Sequence, residues 1–140
     1  MRRSIIAAIV LMLTALPWGM GPAKAEDQGA AITAVIESQL QAFQRNDLDV
    51  AYSFASPTIQ RMFGNPQRFG KMVQNGYPMV WRPSSYRMDR LLETEAGLVQ
   101  IVMFEDASGR FHEAGYLMEL IDGRWRIAGV HVRRQPGVGT

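Results

Sequence analysis

Around residue 84 the hydrophobic pattern changes period, and this switch confines the chain to folds that place helices first and strands after. Upstream, Ile32, Val35, Ile36, Leu40 and Phe43 recur at helical spacing, with Glu37, Gln41 and Gln44 on the other side, predicting an amphipathic helix over 31–45 after a short loose lead. Asn46-Asp47 ends it. Asp49 is placed to cap a second short helix through Ala51, Tyr52 and Phe54 to Ala55. Ser56 then caps a third, about 58–63, with Pro57 at its first position. Gly64-Asn65-Pro66 breaks the pattern, and a fourth helix, 67–74, closes at Asn75-Gly76. From Ser85 onward, apolar and β-branched runs predict strands at about 85–93, 98–105, 110–121 and 124–133, separated by turn residues. Helices followed by an antiparallel meander make an α+β domain, N-terminal helices packed on a curved antiparallel sheet.

The last turn fixes a register. Asp122-Gly123 is a two-residue hairpin signal, because a type I′ turn wants positive φ at both positions. It pairs Ile121 with Arg124, and sliding outward gives Leu120–Trp125, Glu119–Arg126, Met118–Ile127 and Tyr116–Gly129. Carried further, the same register sets Ala114 opposite His131 and His112 opposite Arg133. His112 and His131 then become diagonal neighbours on one face.

The first 25 residues read as an export leader: Arg2 and Arg3, an apolar run from Ile5 to Leu16, then Pro17, Gly19 and the small-residue pattern Ala23-Lys24-Ala25. Cleavage after Ala25 is expected to leave Glu26 at the N-terminus of a single domain over 26–134, with a disordered tail over 135–140. The apolar run is shorter than the ~20 residues of a membrane span, so no stable anchor is expected after cleavage. Processing also changes the charge. Lys and Arg fall from 15 to 12 while all 13 acidic residues stay, which turns +2 into −1. A near-neutral domain gives no sign of nucleic-acid binding. There is no cysteine, so disulfides, thiolate nucleophiles and thiolate metal sites are excluded, and the core must hold the fold alone.

The helical stretch Ala31-Ile32-Thr33-Ala34-Val35-Ile36-Glu37, the segments Gln41-Ala42-Phe43 and Ala51-Tyr52-Ser53-Phe54-Ala55-Ser56-Pro57, and the ending Gly123-Arg124-Trp125-Arg126-Ile127-Ala128-Gly129-Val130 resemble a nuclear transport factor two-like domain, a cone-shaped α+β fold. With Tyr77-Pro78 and Trp81-Arg82-Pro83, residues 30–133 resemble an uncharacterised exported bacterial family, domain of unknown function 4864. The resemblance implies the fold and no activity, since such domains serve as isomerases, dehydratases, ligand binders and interaction modules.

Three residues are candidate proton carriers. His112 and His131 could form an acid–base pair on a concave face; with no third ligand they make no metal site. Asp89, with Tyr52, Tyr77 or Tyr116 as hydrogen-bond donor, could serve an isomerase-like centre, although Arg87 and Arg90 flank it. The stretch Asn75 to Pro83 is the most unusual, two prolines stiffening a run of aromatics and Met. Tyr52, Tyr77, Trp81, Arg82 and Tyr116 are the candidate ligand contacts around a cone mouth. Arg124, Arg126, Arg133 and Arg134 could form an anion patch, with Arg126 absorbed by Glu119.

The sequence therefore leads to an exported, periplasmic or secreted, non-enzymatic domain that binds a small apolar ligand or an envelope protein, or pairs with itself through its sheet. The alternative is a cone-pocket lyase or isomerase using His112, His131 or Asp89. No cofactor and no metal are implied.

Overall fold

The computed structural model describes residues 23–135. The proposed leader lies outside them apart from 23–25, and the tail apart from Gln135. Among the described residues five helices precede four strands: α1 Ala23–Gln44, α2 Leu48–Ser53, α3 Pro57–Phe63, α4 Pro66–Gly76, α5 Pro78–Trp81, then β1 Ser85–Thr94, β2 Gly97–Glu105, β3 Phe111–Ile121 and β4 Arg124–Arg134. The strands form one antiparallel sheet in chain order, β1-β2-β3-β4.

α1 starts earlier than its apolar stripe suggests. The expected loose lead at 26–30 is helical: Glu26, Gln28 and Ala30 are good helix formers, and Gly29 meets nothing within 4 Å. The stripe itself is buried as its spacing requires. Ile32, Ile36, Leu40 and Phe43 are at most 1% exposed against the sheet, and burying each side chain contributes roughly 1.5–3 kcal/mol. α2 is capped by Asp47 rather than Asp49: its carboxylate accepts from the Val50 N–H. Ser56 and Asn65 cap α3 and α4 by accepting from Ile59 and Arg68, with Pro57 and Pro66 in the first turns. Gly64 closes α3 in the left-handed conformation, φ 82°. The Tyr77–Arg82 stretch is not a plain linker, since α5 gives it one helical turn.

The Asp122-Gly123 hairpin forms as read, with φ 51° and 76°. Its register holds from Ile121–Arg124 to Met118–Ile127 and then fails. Ala128 is an extra residue, a bulge, so Leu117 pairs Gly129, Tyr116 pairs Val130, Gly115 pairs His131 and His112 pairs Arg134. Beyond the bulge each β4 residue changes face relative to the unbroken register. His112 and His131 therefore stand on opposite faces and are not diagonal neighbours. Gly129 makes room for Leu117, not for the Tyr116 ring. β1 carries its own irregularity at Asp89-Arg90, where the buried Gln100 amide donates to the two freed carbonyls at 3.1 and 3.3 Å.

The inner face of the sheet, with Val102, Phe104, Ala114, Tyr116, Met118 and Ile127, closes on the helices as one core. A short parallel bridge from Ala55 to Ile127 ties the helical layer to the free edge of β4.

Candidate functional site

One hollow lies on each face of the sheet, and the two differ greatly in size. The first lies inside the cone between α1, α4, α5 and the inner face, lined by Phe43, Phe69, Met72, Tyr77, Val80 and Ile127 among others. Its volume is about 80 Å³, against roughly 300–1,000 Å³ for ligand pockets and ~30 Å³ for one water. Aromatic packing fills the rest: Phe69 sits 5.9 Å from Phe43, 5.6 Å from Tyr52 and 5.7 Å from Phe63. Among the described residues, Tyr77 and Tyr116 are the acid–base side chains on its wall.

Tyr116 is 0% exposed, and among the described residues its hydroxyl has no hydrogen-bond partner. Burial, and secondarily the field of Tyr86, pushes its ionisation far above the ordinary phenol value. Tyr86 is raised as well, by burial first and then by Glu37.

The second hollow is an open trough on the outer face, about 610 Å³. Val99, Ile101 and Leu117 form its apolar walls, Gly115 and Gly129 its floor, and Glu113, His131 and Arg133 its polar rim. The glycines make it deep: a methyl on Gly115 would lie 3.2 Å from Val99 Cγ1. Arg133 and Glu113 pair at 3.1 Å, and Gln135 donates to the other Glu113 oxygen at 3.0 Å.

The structure scatters the residues singled out from sequence. Asp89 is on exposed β1, held by Arg90 at 3.0 Å and Arg87 at 3.7 Å. His131 is exposed on the outer rim. His112 is buried on the inner face with Nε2 2.8 Å from Asp106. The other Asp106 oxygen accepts from the Ser108 N–H, the Ser108 hydroxyl and the Arg110 N–H. The His112 hydrogen bond first, then those from Ser108 and Arg110, hold this carboxyl well below the usual carboxylate range. The three candidate proton carriers thus share no cavity.

Of the candidate ligand contacts, Tyr77 and Tyr116 alone line the cone interior. Tyr52 hydrogen-bonds the Gln60 carbonyl, and the Gln60 amide returns to Tyr52 and Ala55, fastening α2 to α3. Trp81 packs 5.5 Å from Phe43 and lies under the Arg82 guanidinium at 4.8 Å. Arg82 donates to the Phe43 carbonyl at 2.7 Å and to Asn46 at 3.1 Å, so its charge sits at the C-terminus of α1. Among the described residues no three His, Cys, Asp or Glu side chains group to hold a metal, and no helix is long and apolar enough to cross a membrane.

The trough was missed from sequence, yet β2 carried its signal. Leu98 to Phe104 is apolar at both parities except for Gln100, the pattern of a strand covered on both faces rather than one.

Helices closing a curved four-stranded meander into a cone define an NTF-2-like α+β domain. A crystal structure of an NTF-2-like protein of unknown function from Silicibacter pomeroyi DSS-3 has this fold: TM-score 0.55 at 17% identity, over 79% of this chain and 98% of that one. The chain belongs to the family described as Domain of unknown function (DUF4864), whose profile matches residues 25–140. No curated protein matches it.

Proposed function

We propose that this is an exported, non-catalytic binding domain that docks a protein on the outer face of its sheet, and that the occupant this face fits is a second copy of the chain. The observation that carries the reading is the contrast between the two hollows: about 610 Å³ of open apolar trough outside, about 80 Å³ inside. The β2 run supports it, because Val99 and Ile101 give the outer face the composition of a covered one. A two-fold interface must be self-complementary. This face carries both a ridge, Leu117 and Val99, and a hollow over Gly115 and Gly129. Its main rim charges, Glu113 and Arg133, are already paired, so two copies meet without net repulsion.

The separation of His112, His131 and Asp89 speaks for binding over a lyase or isomerase reaction. A small apolar ligand inside the cone is the second reading. One observation favours it, the unpartnered Tyr116 hydroxyl; the volume opposes it. Export rests on the leader pattern of residues 1–25. Cleavage after Ala25 would take only the first three residues from α1, and N-terminal sequencing of processed protein should begin at Glu26.

The test of docking is sedimentation velocity on the wild type and on Leu117→Arg. The wild type should show a concentration-dependent dimer. The variant, folding normally because the site is on the outer face, should dissociate at least about 100-fold more readily. A wild type that stays monomeric at ~100 µM would remove the second copy as occupant.

A further inference from the structure

The geometry points to a carboxylate-binding cleft at the free edge of β4, separate from the trough, in which Arg124 and Arg126 hold a singly charged oxyanion. The cleft is about 440 Å³, walled by Pro57 and Gln60 on the helical side and by Ile121, Asp122, Arg124 and Arg126 on the hairpin. This is within the range of ligand sites.

Arg126 faces Glu119 across the ladder, where a cross-strand ion pair is the sequence expectation. The pair does not form. The guanidinium instead leans over the strand edge and donates to the Ser53 carbonyl at 2.6 Å. One bond fixes its position and leaves most of its N–H donors free. Among the described residues neither Arg124 nor Arg126 forms an ion pair, although Arg126 is half-buried. A partly desolvated guanidinium that makes no ion pair favours binding an anion.

The cleft wall is rigid. Ser56 N–H donates to the Ile127 carbonyl and Ile127 N–H to the Phe54 carbonyl, both at 2.8 Å, pinning the segment before α3 to β4. The Gln60 amide group is committed to Tyr52 and Ala55, so the arginines supply the donors.

Asp122 sets the ligand class. It lines the same cleft, which leaves two arginines against one acid among its lining residues, with Glu119 opposite Arg126 in the ladder as a second acid nearby. The nearby acids disfavour a polyanion such as nucleic acid most, because repulsion grows with ligand charge, whereas a single carboxylate matches the planar fork of an arginine. That carboxylate could belong to a free small acid or to the C-terminus of a peptide, and the measurement separates the two.

The experiment is an NMR titration of the whole protein at constant ionic strength, with three probes: acetate, an N-acetylated tripeptide with a free C-terminal carboxylate, and the same tripeptide as its amide. Saturable shifts at the Arg124 and Arg126 side chains, near millimolar, are expected with carboxylate probes and none with the amide. Equal affinity for acetate and tripeptide assigns a free acid; a tenfold preference for the tripeptide assigns a chain terminus. Arg126→Gln should weaken binding roughly tenfold. Arg124→Gln, at an exposed position with no structural bond, should do the same without touching the fold. Asp122→Asn should strengthen it severalfold. Shifts that do not saturate, that keep the wild-type affinity in Arg124→Gln, or that appear equally with the amide would overturn the site.

Discussion

Replacing Tyr116 by Phe removes one oxygen from the middle of the core, and the structure requires the protein to become more stable. The ring stays where it is, 6.5 Å from Phe104 and fully enclosed. Only the hydroxyl goes, and it has no partner to lose. An unsatisfied buried hydroxyl costs about 1–3 kcal/mol. Part of that is offset by the small void left behind, so a net gain of about 1 kcal/mol is expected, or roughly 3–5 °C in Tm for a domain of this size. Urea unfolding followed by Trp fluorescence reads it as a higher midpoint at unchanged slope.

A second readout comes from pH. The Tyr116 pKa is raised in the folded state, so its contribution is intact below the unfolded phenol value near 10 and is lost as pH rises beyond it. Above pH ~10 the wild type should lose up to about 1.4 kcal/mol per pH unit from this group, and the Phe variant should lose less. A variant destabilised by more than ~1 kcal/mol would refute the reasoning. The hydroxyl would then have a partner, and a ligand inside the cone would become the better functional reading.

Trp81→Ala should lower stability by about 2–3 kcal/mol, because it strips the contact with Phe43 and the platform under Arg82, while self-association stays at the wild-type constant by sedimentation. Asp106→Asn should flatten the acid limb of thermal stability. The folded Asp106 pKa is depressed, so its contribution is complete above the unfolded carboxylate value near 4 and is lost as pH falls below it. Thermal scans between pH 7 and 2 would show the wild type declining and the variant declining less. Gly115→Val should weaken self-association by filling the trough floor, with the same sedimentation assay as readout.

The bodies of α1 to α4, the meander and the Asp122-Gly123 turn were legible because each is written locally, in capping residues, period and turn chemistry. The Ala128 bulge was not. Ala128, Gly129 and Val130 are all small or apolar, so no polar residue marks which of them leaves the ladder, and the two histidines were carried onto one face by arithmetic that a single extra residue defeats. The work of Arg82 was hidden for another reason: the carbonyl it holds is Phe43, 39 positions away. The near-filled cone depends on how Phe43, Phe69 and Tyr52 interlock, and no periodicity reports volume. By contrast, the second apolar face of β2 stood in the sequence as Val99, Ile101 and Met103, alternating with the core residues.

The central claim is that the outer face of the sheet is covered in solution by another copy of the chain. Paramagnetic relaxation by a soluble gadolinium chelate, read at the methyl groups, tests it directly. Val99 and Leu117 should be protected at high protein concentration and lose protection on dilution, while Met62, 71% exposed on α3, stays broadened throughout. Val99 and Leu117 methyls with relaxation that does not change with protein concentration would contradict it, and would leave the trough an open face with no copy seated on it.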